Sequence, residues 1–323
     1  MQDDCRPMSN KTRAFRLGVD LGGTKIEAIA LNASGEVMAR QRVPTPQGDY
    51  AGTVLAIRDV VERLERTLGL FSSDSEQKIP LGVGIPGALS PYTGRVQNAN
   101  STVLIGEALD QDLRYALQRP VRLANDANCF ALSEAMDGAG ADAAVVFGVI
   151  VGTGTGGGLV VHKQVLSGPN AIAGEWGHNP MPWPQEEERP GPDCYCGKQG
   201  CIETFLSGPG LAADYQRATK QLVCVEDVVQ RAERGEMTAQ TTLERYAQRM
   251  ARALASVINV LDPDVIVLGG GLSNLTFLYE RVPQLWGQWV FAPAVRTQLR
   301  PPKYGDSSGV RGAAWLWPMQ EKT

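Results

Sequence analysis

The sequence predicts an α/β protein built of two lobes, on three observations. From Phe15 onward, apolar strand-like runs alternate with stretches of helical periodicity. A unit of strand, Gly/Thr turn, strand, short turn and strand occurs twice, about 130 residues apart. The 323 residues, 43% hydrophobic and 20% charged, are enough to bury two cores.

The elements follow in order. Residues 1–14 are polar and aperiodic and read as a disordered tail. Phe15–Val19, Ile26–Leu31 and Glu36–Arg42 read as strands, with Asn32–Gly35 as the hairpin turn between the last two. Val54, Ile57, Val61, Leu64 and Leu68 recur at helical spacing. Leu81–Ile85 is a short apolar strand running into a Pro/Gly loop. Leu109–Gln118 reads as helix, Val121–Ala124 as strand, and Ala127 to Met136 as helix. Leu243, Tyr246, Met250, Leu254, Val257 and Leu261 form the apolar stripe of a long helix in the second core. Val265–Leu268 is an apolar strand, and Gly309–Trp317 is a short apolar helix expected to return to the first lobe. The expected division is therefore a smaller lobe of residues 15–124 with 309–323, and a larger lobe of residues 125–308.

The repeated unit pairs FRLGVDLGGTKIEAIALNASGEV with VVFGVIVGTGTGGGLVVHKQVL, so each lobe is expected to offer a Gly/Thr turn to a shared cleft. In the first copy, Gly22, Gly23 and Thr24 leave backbone N–H groups open to phosphate oxygens, and a hydroxyl adds a donor. Gly152, Thr153 and Gly154 repeat the arrangement. Gly269, Gly270 and Gly271 directly follow an apolar strand, where bare backbone approaches a flat ligand such as adenosine closely. No G-x4-G-K-[ST] follows a strand, which excludes a P-loop, and GTGTGG leads into another strand rather than a helix, which excludes a dinucleotide fingerprint. Asp20 of the first copy matches Ile150 of the second. One lobe alone then offers a charge at this place, as a single Mg²⁺-nucleotide requires.

The block from Glu175 to Glu203 is rich in ligand-type residues. Cys194, Cys196 and Cys201 lie within eight residues, and one of only two histidines, His178, sits just upstream. Three thiolates and an imidazole make a closed tetrahedral Zn²⁺ set of the structural kind. Buried core thiols or a disulfide are the plainer alternatives. Against the first stands the Gly-, Pro- and acid-rich surround; against the second stands the lack of a signal peptide or membrane-length apolar run, which leads us to expect a cytoplasmic protein with reduced thiols. The PWPQEEERPGP stretch before the cysteines reads as an exposed loop. The formal charge of −4 shows no basic bias, which argues against nucleic acid as a partner; no membrane association is expected either.

DLGGTK (Asp20–Lys25), GIPG (Gly84–Gly87), NDAN (Asn125–Asn128), GTGTGGG (Gly152–Gly158), EWGH, C-x-C-G-x-x-G-C-x-E and LGGG (Leu268–Gly271) stand in the order found in one family. From about Phe15 to Pro318 the chain resembles the ROK family (repressors, open reading frames and kinases) of the hexokinase and actin-like ATPase superfamily. The resemblance implies a two-lobed, ribonuclease H-like/actin-like ATPase fold of the hexokinase type, with a structural zinc site. NANSTVL, AGEWGHNP, CYCGKQGCIETF and GDSSGVRGAAWLWP are similar to the bacterial fructokinase/mannokinase branch. The implied reaction is ATP-dependent phosphorylation of a hexose, D-fructose to fructose 6-phosphate first, with glucose, mannose or an N-acetylhexosamine as alternatives.

Carried onto this sequence, the resemblance makes Asp126 the catalytic base and Asp20 the Mg²⁺ carboxylate. Asn100, Asn125, Asp126, Glu175, His178 and Glu203 become sugar contacts. Asp20, Gly22, Gly23, Thr24, Lys25, Gly152, Thr153, Gly154, Gly269, Gly270 and Gly271 become ATP contacts. His178, Cys194, Cys196 and Cys201 become the zinc ligands, with His178 serving metal and sugar from different faces of its ring. A homodimer is implied in the same way. The chemistry is consistent with these roles: phosphoryl transfer needs an in-line hydroxyl and phosphate, charge-spreading donors and a positioned carboxylate. Asp126 is also placed as an ordinary N-cap would be, and its helix N-terminus is expected to keep it ionised. The same family includes sugar-sensing repressors. That second reading is disfavoured, because only about 14 residues precede the first strand, too few for a helix-turn-helix domain.

Overall fold

The computed structural model describes residues 15–70, 78–99 and 101–318; the expected N-terminal tail and Asn100 lie outside them. The chain divides into two compact units, with boundaries after Cys129 and between Ser308 and Gly309.

The first unit opens with three antiparallel strands, β1 (Arg16–Leu21), β2 (Lys25–Leu31) and β3 (Val37–Pro44). Helix α1 (Tyr50–Leu68) starts where the Asp49 carboxylate accepts from Gly52 N–H at 2.8 Å, and ends at Gly69 in the left-handed region, φ 65°. Strand β4 (Leu81–Ile85), the short ribbon β5 (Ala88–Leu89) and β6 (Val96–Gln97), helix α2 (Leu109–Leu117), strand β7 (Val121–Asn125) and helix α3 (Asp126–Met136) follow. The sheet runs β3-β2-β1-β4-β7, with β4 parallel to both β1 and β7. Leu17, Val19, Ile26, Ala28 and Ala30 on one face pack against Val54, Ile57, Val61 and Leu64 of α1 and Leu109 and Leu113 of α2. Burying these apolar side chains is the main drive for the layer. Several sequence boundaries move by one or two residues; among them, β1 extends through Asp20 to Leu21 because Leu21 pairs with Ile26, β3 runs on to Pro44, and β7 runs into α3 without a loop.

The unit boundary falls inside α3. The second unit then repeats the plan of the first. Strands β8 (Val145–Val151), β9 (Thr155–Val161) and β10 (Gln164–Val165) form an antiparallel meander. A long irregular stretch leads to helices α4 (Ile202–Leu206), α5 (Gly208–Thr219), α6 (Val225–Glu233) and α7 (Met237–Leu261). Strand β11 (Val265–Gly269), helix α8 (Leu278–Trp286) and strand β12 (Gln298–Arg300) complete it. The sheet order is β10-β9-β8-β11-β12, with β11 parallel to both β8 and β12. Each sheet is thus a three-strand meander extended by two parallel strands, so the repeat seen in the glycine turns extends to the whole topology. On α7, Tyr246, Met250 and Leu254 are buried against Val149, Val151, Ile266 and Leu268, while Leu243, Val257 and Leu261 pack at the margin.

The stretch expected to be an exposed loop departs from that expectation at Glu188, which is buried. It accepts from Arg249 Nε at 2.7 Å and from Arg252 Nη2 at 2.7 and 2.8 Å. Arg249 also reaches Asp214 of α5 at 3.0 Å. A charge can leave water here only because two guanidinium groups meet it.

Helix α9 (Ser308–Trp315) lies, from Gly309 on, with the first unit. It covers the other face of the first sheet, where Ile29 and Leu31 meet Val310 and Ala314. The approach is close enough to exclude side chains. A Cβ on Gly18 would stand 2.4 Å from Val310 O, one on Gly82 1.8 Å from Ala313 O, and one on Gly312 1.6 Å from Cys129 O. No helix among the described residues is long and apolar enough to cross a membrane.

Candidate functional site

On the first unit, the hairpin between β1 and β2 is held from behind. Gly22 N–H donates to Lys25 O at 3.0 Å, Thr45 Oγ1 to Gly22 O at 2.7 Å, and Gln47 Nε2 to Gly23 O at 2.6 Å. With those carbonyls occupied, Gly23 and Thr24 stay exposed, and a Cβ on Gly23 would meet nothing within 4 Å. Thr45 and Gln47, which sequence reasoning missed, therefore set the shape of the turn. Lys25 turns aside to the buried Glu27 carboxylate, at 3.9 Å.

Asp20, next to last in β1, lies on the same sheet face as Glu27, its partner in register. Burial pushes the Asp20 carboxyl up to about 6, and the charges of Asp126 and Glu27 push the same way. Asp126 opens α3 directly after Asn125. Ala127 N–H donates to both side chains, at 2.9 Å to Asn125 Oδ1 and 2.8 Å to Asp126 Oδ1. The Asp126 residue is exposed. Even so, desolvation by surrounding protein raises its pKa against the pull of the Ala127 N–H. This corrects the expectation that the helix N-terminus dominates: the backbone donor is present, and desolvation outweighs it. Cys129, one helical turn on, is fully buried, and burial with the nearby Asp20 and Asp126 charges pushes its thiol well up. It is a neutral packing group. Asn100 lies outside the described residues.

On the second unit, Glu175 and His178 flank a short turn anchored by Trp176, whose Nε1 donates to Gly156 O at 2.9 Å. Gly177 has no room for a side chain, since a Cβ would lie 2.0 Å from Thr155 O. His178, Cys194, Cys196 and Cys201 offer ligand atoms that all lie within 4.8 Å of one another. His178 Nδ1 stands 3.5 Å from Cys194 Sγ, and Cys196 Sγ 3.6 Å from Cys201 Sγ. Sulfurs bound to one tetrahedral Zn²⁺ at about 2.3 Å sit about 3.8 Å apart, so the set fits that ion. The backbone N–H of Lys198 lowers the Cys196 thiol toward the thiolate that a metal needs, while burial pushes Cys201 up to about 12. Tight turns fold the segment, with Gly197 N–H on Cys194 O at 2.9 Å and Cys194 N–H on Lys198 O at 2.8 Å.

Two contacts here were invisible in the sequence. The second ring nitrogen of His178, Nε2, lies 2.9 Å from the Tyr195 hydroxyl. And Glu203, on α4, accepts from Thr155 N–H at 2.9 Å, with its Oε2 just 2.7 Å from where a Gly154 Cβ would be. The carboxylate assigned to sugar thus braces the turn assigned to nucleotide. In that turn Gly152 N–H donates to Gly154 O at 3.0 Å, and Gly208 N–H to Gly152 O at 2.7 Å. Of the third glycine cluster, Gly269 makes way for the Phe130 ring and Gly270 for Val151 O. Only Gly271 faces open space, and a Cβ on Gly152 would come 3.9 Å from its nitrogen.

The ROK family profile matches residues 16–320. The N-acetyl-D-glucosamine kinase of Vibrio cholerae is 39% identical over 303 residues, spanning 93% of this chain and 98% of that protein. The crystal structure of the ROK hexokinase from Thermus thermophilus superposes with a TM-score of 0.81 at 30% identity, covering 93% of this chain and 97% of the other. A ROK glucokinase from Streptomyces griseus, in complex with glucose and AMPPNP, gives a TM-score of 0.73 at 25% identity over 94% and 98% of the two chains.

Proposed function

The chain belongs to the ROK family, with its hexokinase-type α/β fold, and is a sugar kinase; from that premise we propose that it transfers the γ-phosphoryl group of ATP to a hydroxyl of a hexose. The observation that carries this reading is the acid pair of the first unit. Asp126 is exposed at the β7–α3 junction and close enough to Asp20 for their charges to interact. Asp126 takes the proton of the attacking hydroxyl, and Asn125 shares its Ala127 N–H anchor and contacts the sugar. A carboxylate of raised pKa is better matched to that proton than a free one. Asp20 would hold Mg²⁺, which neutralises charge on the phosphoryl oxygens.

The exposed Gly22–Lys25 turn and the Gly152–Gly154 and Gly269–Gly271 backbones are read as nucleotide contacts, Gly271 being the most open of the third set. Asn100, Glu175, His178 and Glu203 are read as sugar contacts. Zn²⁺ on His178, Cys194, Cys196 and Cys201 would be structural, since the four protein donors close its tetrahedron and leave no position for water. We read the enzyme as cytoplasmic and dimeric.

Two observations bear on the hexose. Relatives matched over nearly the whole chain include N-acetyl-D-glucosamine kinases, which supports an N-acetylhexosamine and lends nothing to the expected fructose. The blocks CYCGKQGCIETF and GDSSGVRGAAWLWP keep D-fructose and D-mannose as the second reading. A coupled assay of ADP release over N-acetylglucosamine, fructose, mannose and glucose tests both levels. Sugar-dependent release is expected, with the largest kcat/KM on N-acetylglucosamine. A larger value on fructose replaces the substrate, and release independent of every sugar overturns the kinase reading.

A further inference from the structure

Tyr195 stands between two metal-type ligands, Cys194 and Cys196, and is 79% exposed. Its ring meets the His178 ring edge-on at 89°, with centroids 5.1 Å apart, and its hydroxyl lies 2.9 Å from His178 Nε2. We propose that Tyr195 is a displaceable cap on His178, its hydroxyl standing where a sugar hydroxyl binds. The inference rests on the proposed reading of His178 as a sugar contact.

The tautomer follows from the ring's two surroundings. Nδ1 faces Cys194 Sγ at 3.5 Å within the four-donor cluster, so a metal there takes the Nδ1 lone pair and the proton sits on Nε2. Nε2–H then donates to Tyr195 Oη. A hexose hydroxyl that seeks this nitrogen finds its one hydrogen already given away.

The cap is built to leave. The backbone on either side is fixed by the Cys194–Lys198 and Gly197–Cys194 hydrogen bonds, so the loop itself has no need to move. Beyond the His178 contact the ring is open to water, and rotation of an exposed side chain takes picoseconds to nanoseconds. Until sugar arrives, the hydroxyl would satisfy the donor that metal binding at Nδ1 leaves on Nε2.

Competition for one hydrogen bond is worth about two- to tenfold in affinity. The test is Tyr195→Phe, which keeps the ring and removes the hydroxyl. The probe is the hexose giving the largest kcat/KM with the wild-type enzyme, its Kd measured by calorimetry without ATP and its KM by ADP release. The cap predicts a Kd and KM lowered about two- to tenfold, with kcat, zinc content and Tm near wild type. A hydroxyl that instead holds the wall together or contacts sugar directly gives a raised Kd, and one that is merely a surface group leaves it unchanged; either result overturns the proposal. Absence of sugar-dependent turnover in the wild type would bring down the kinase reading itself, which separates the two failures.

Discussion

Asp126 illustrates how a single residue is read differently before and after its surroundings are known. From the sequence it is an N-cap or a base at a helix N-terminus; the structure shows Ala127 N–H on its carboxylate at 2.8 Å, yet desolvation moves its pKa upward. A raised pKa means that the carboxylate takes up its proton at a higher pH than a free aspartate, whose value is about 3.9. The base must be ionised to act, so kcat/KM is expected to fall as pH drops through a value above that, and to level off toward neutral pH. Asp126→Asn should lower kcat about a hundred- to ten-thousandfold while sugar binding by calorimetry is largely retained. Retained turnover would remove Asp126 as the base. The linkage runs the other way for stability: a raised carboxyl pKa favours the folded state when protonated, and that contribution is lost as pH rises. The Asn variant should therefore melt no lower than wild type at neutral pH. Tyr195 and Glu203 show the limit of residue-level reading. Their partners, His178 and Thr155, are 17 and 48 positions away, and no local pattern announces them.

At the scale of elements, the segment from Trp183 to Cys201 depends on two anchors. The first is the His/Cys₃ cluster, legible in the sequence because ligand types at short spacing are rare outside metal sites. Cys196→Ser, or removal of metal by a strong chelator, should strip the zinc found by elemental analysis, lower Tm and raise the sugar KM. Zinc absent from wild-type protein would end that argument. The second anchor was not legible. Three consecutive glutamates look alike in sequence, and Glu188 is distinguished only by Arg249 and Arg252, 61 and 64 positions on. Burial alone would raise the Glu188 pKa, but the hydrogen bonds from Arg249, Gln185 N–H and Arg252 prevail and lower it. A depressed carboxyl pKa contributes stability above the unfolded value of about 4.3, lost as pH falls through the lower folded value. Glu188→Gln leaves two arginines buried beside a neutral amide and should cost about 3–5 kcal/mol in denaturant melts. The difference from wild type should shrink below about pH 4. An unchanged melt would show that the arginines find other partners.

For the whole molecule, the α/β architecture was legible because hydrophobic periodicity and glycine turns are local signals, and the internal repeat extended them. What the repeat could not show was its depth: both sheets share one order, three antiparallel strands followed by two parallel ones. The return of the last helix was expected from its apolar character, but its fit was not, since that depends on Gly18, Gly82 and Gly312 meeting the backbone of Val310, Ala313 and Cys129, each far away in sequence. Gly312→Ala puts a methyl group 1.6 Å from the Cys129 carbonyl, and the backbone must shift to admit it. We expect a loss of at least about 1–3 kcal/mol in a thermal or denaturant melt; wild-type stability would mean that α9 is not seated as described. The seating of α9 also fixes an order of events during synthesis. A ribosome makes the whole second unit before it reaches Gly309, so the first sheet waits with Ile29 and Leu31 uncovered while its neighbour is completed. For this chain the N-terminal half begins first and finishes last, and the interval is when a nascent protein has most need of a chaperone.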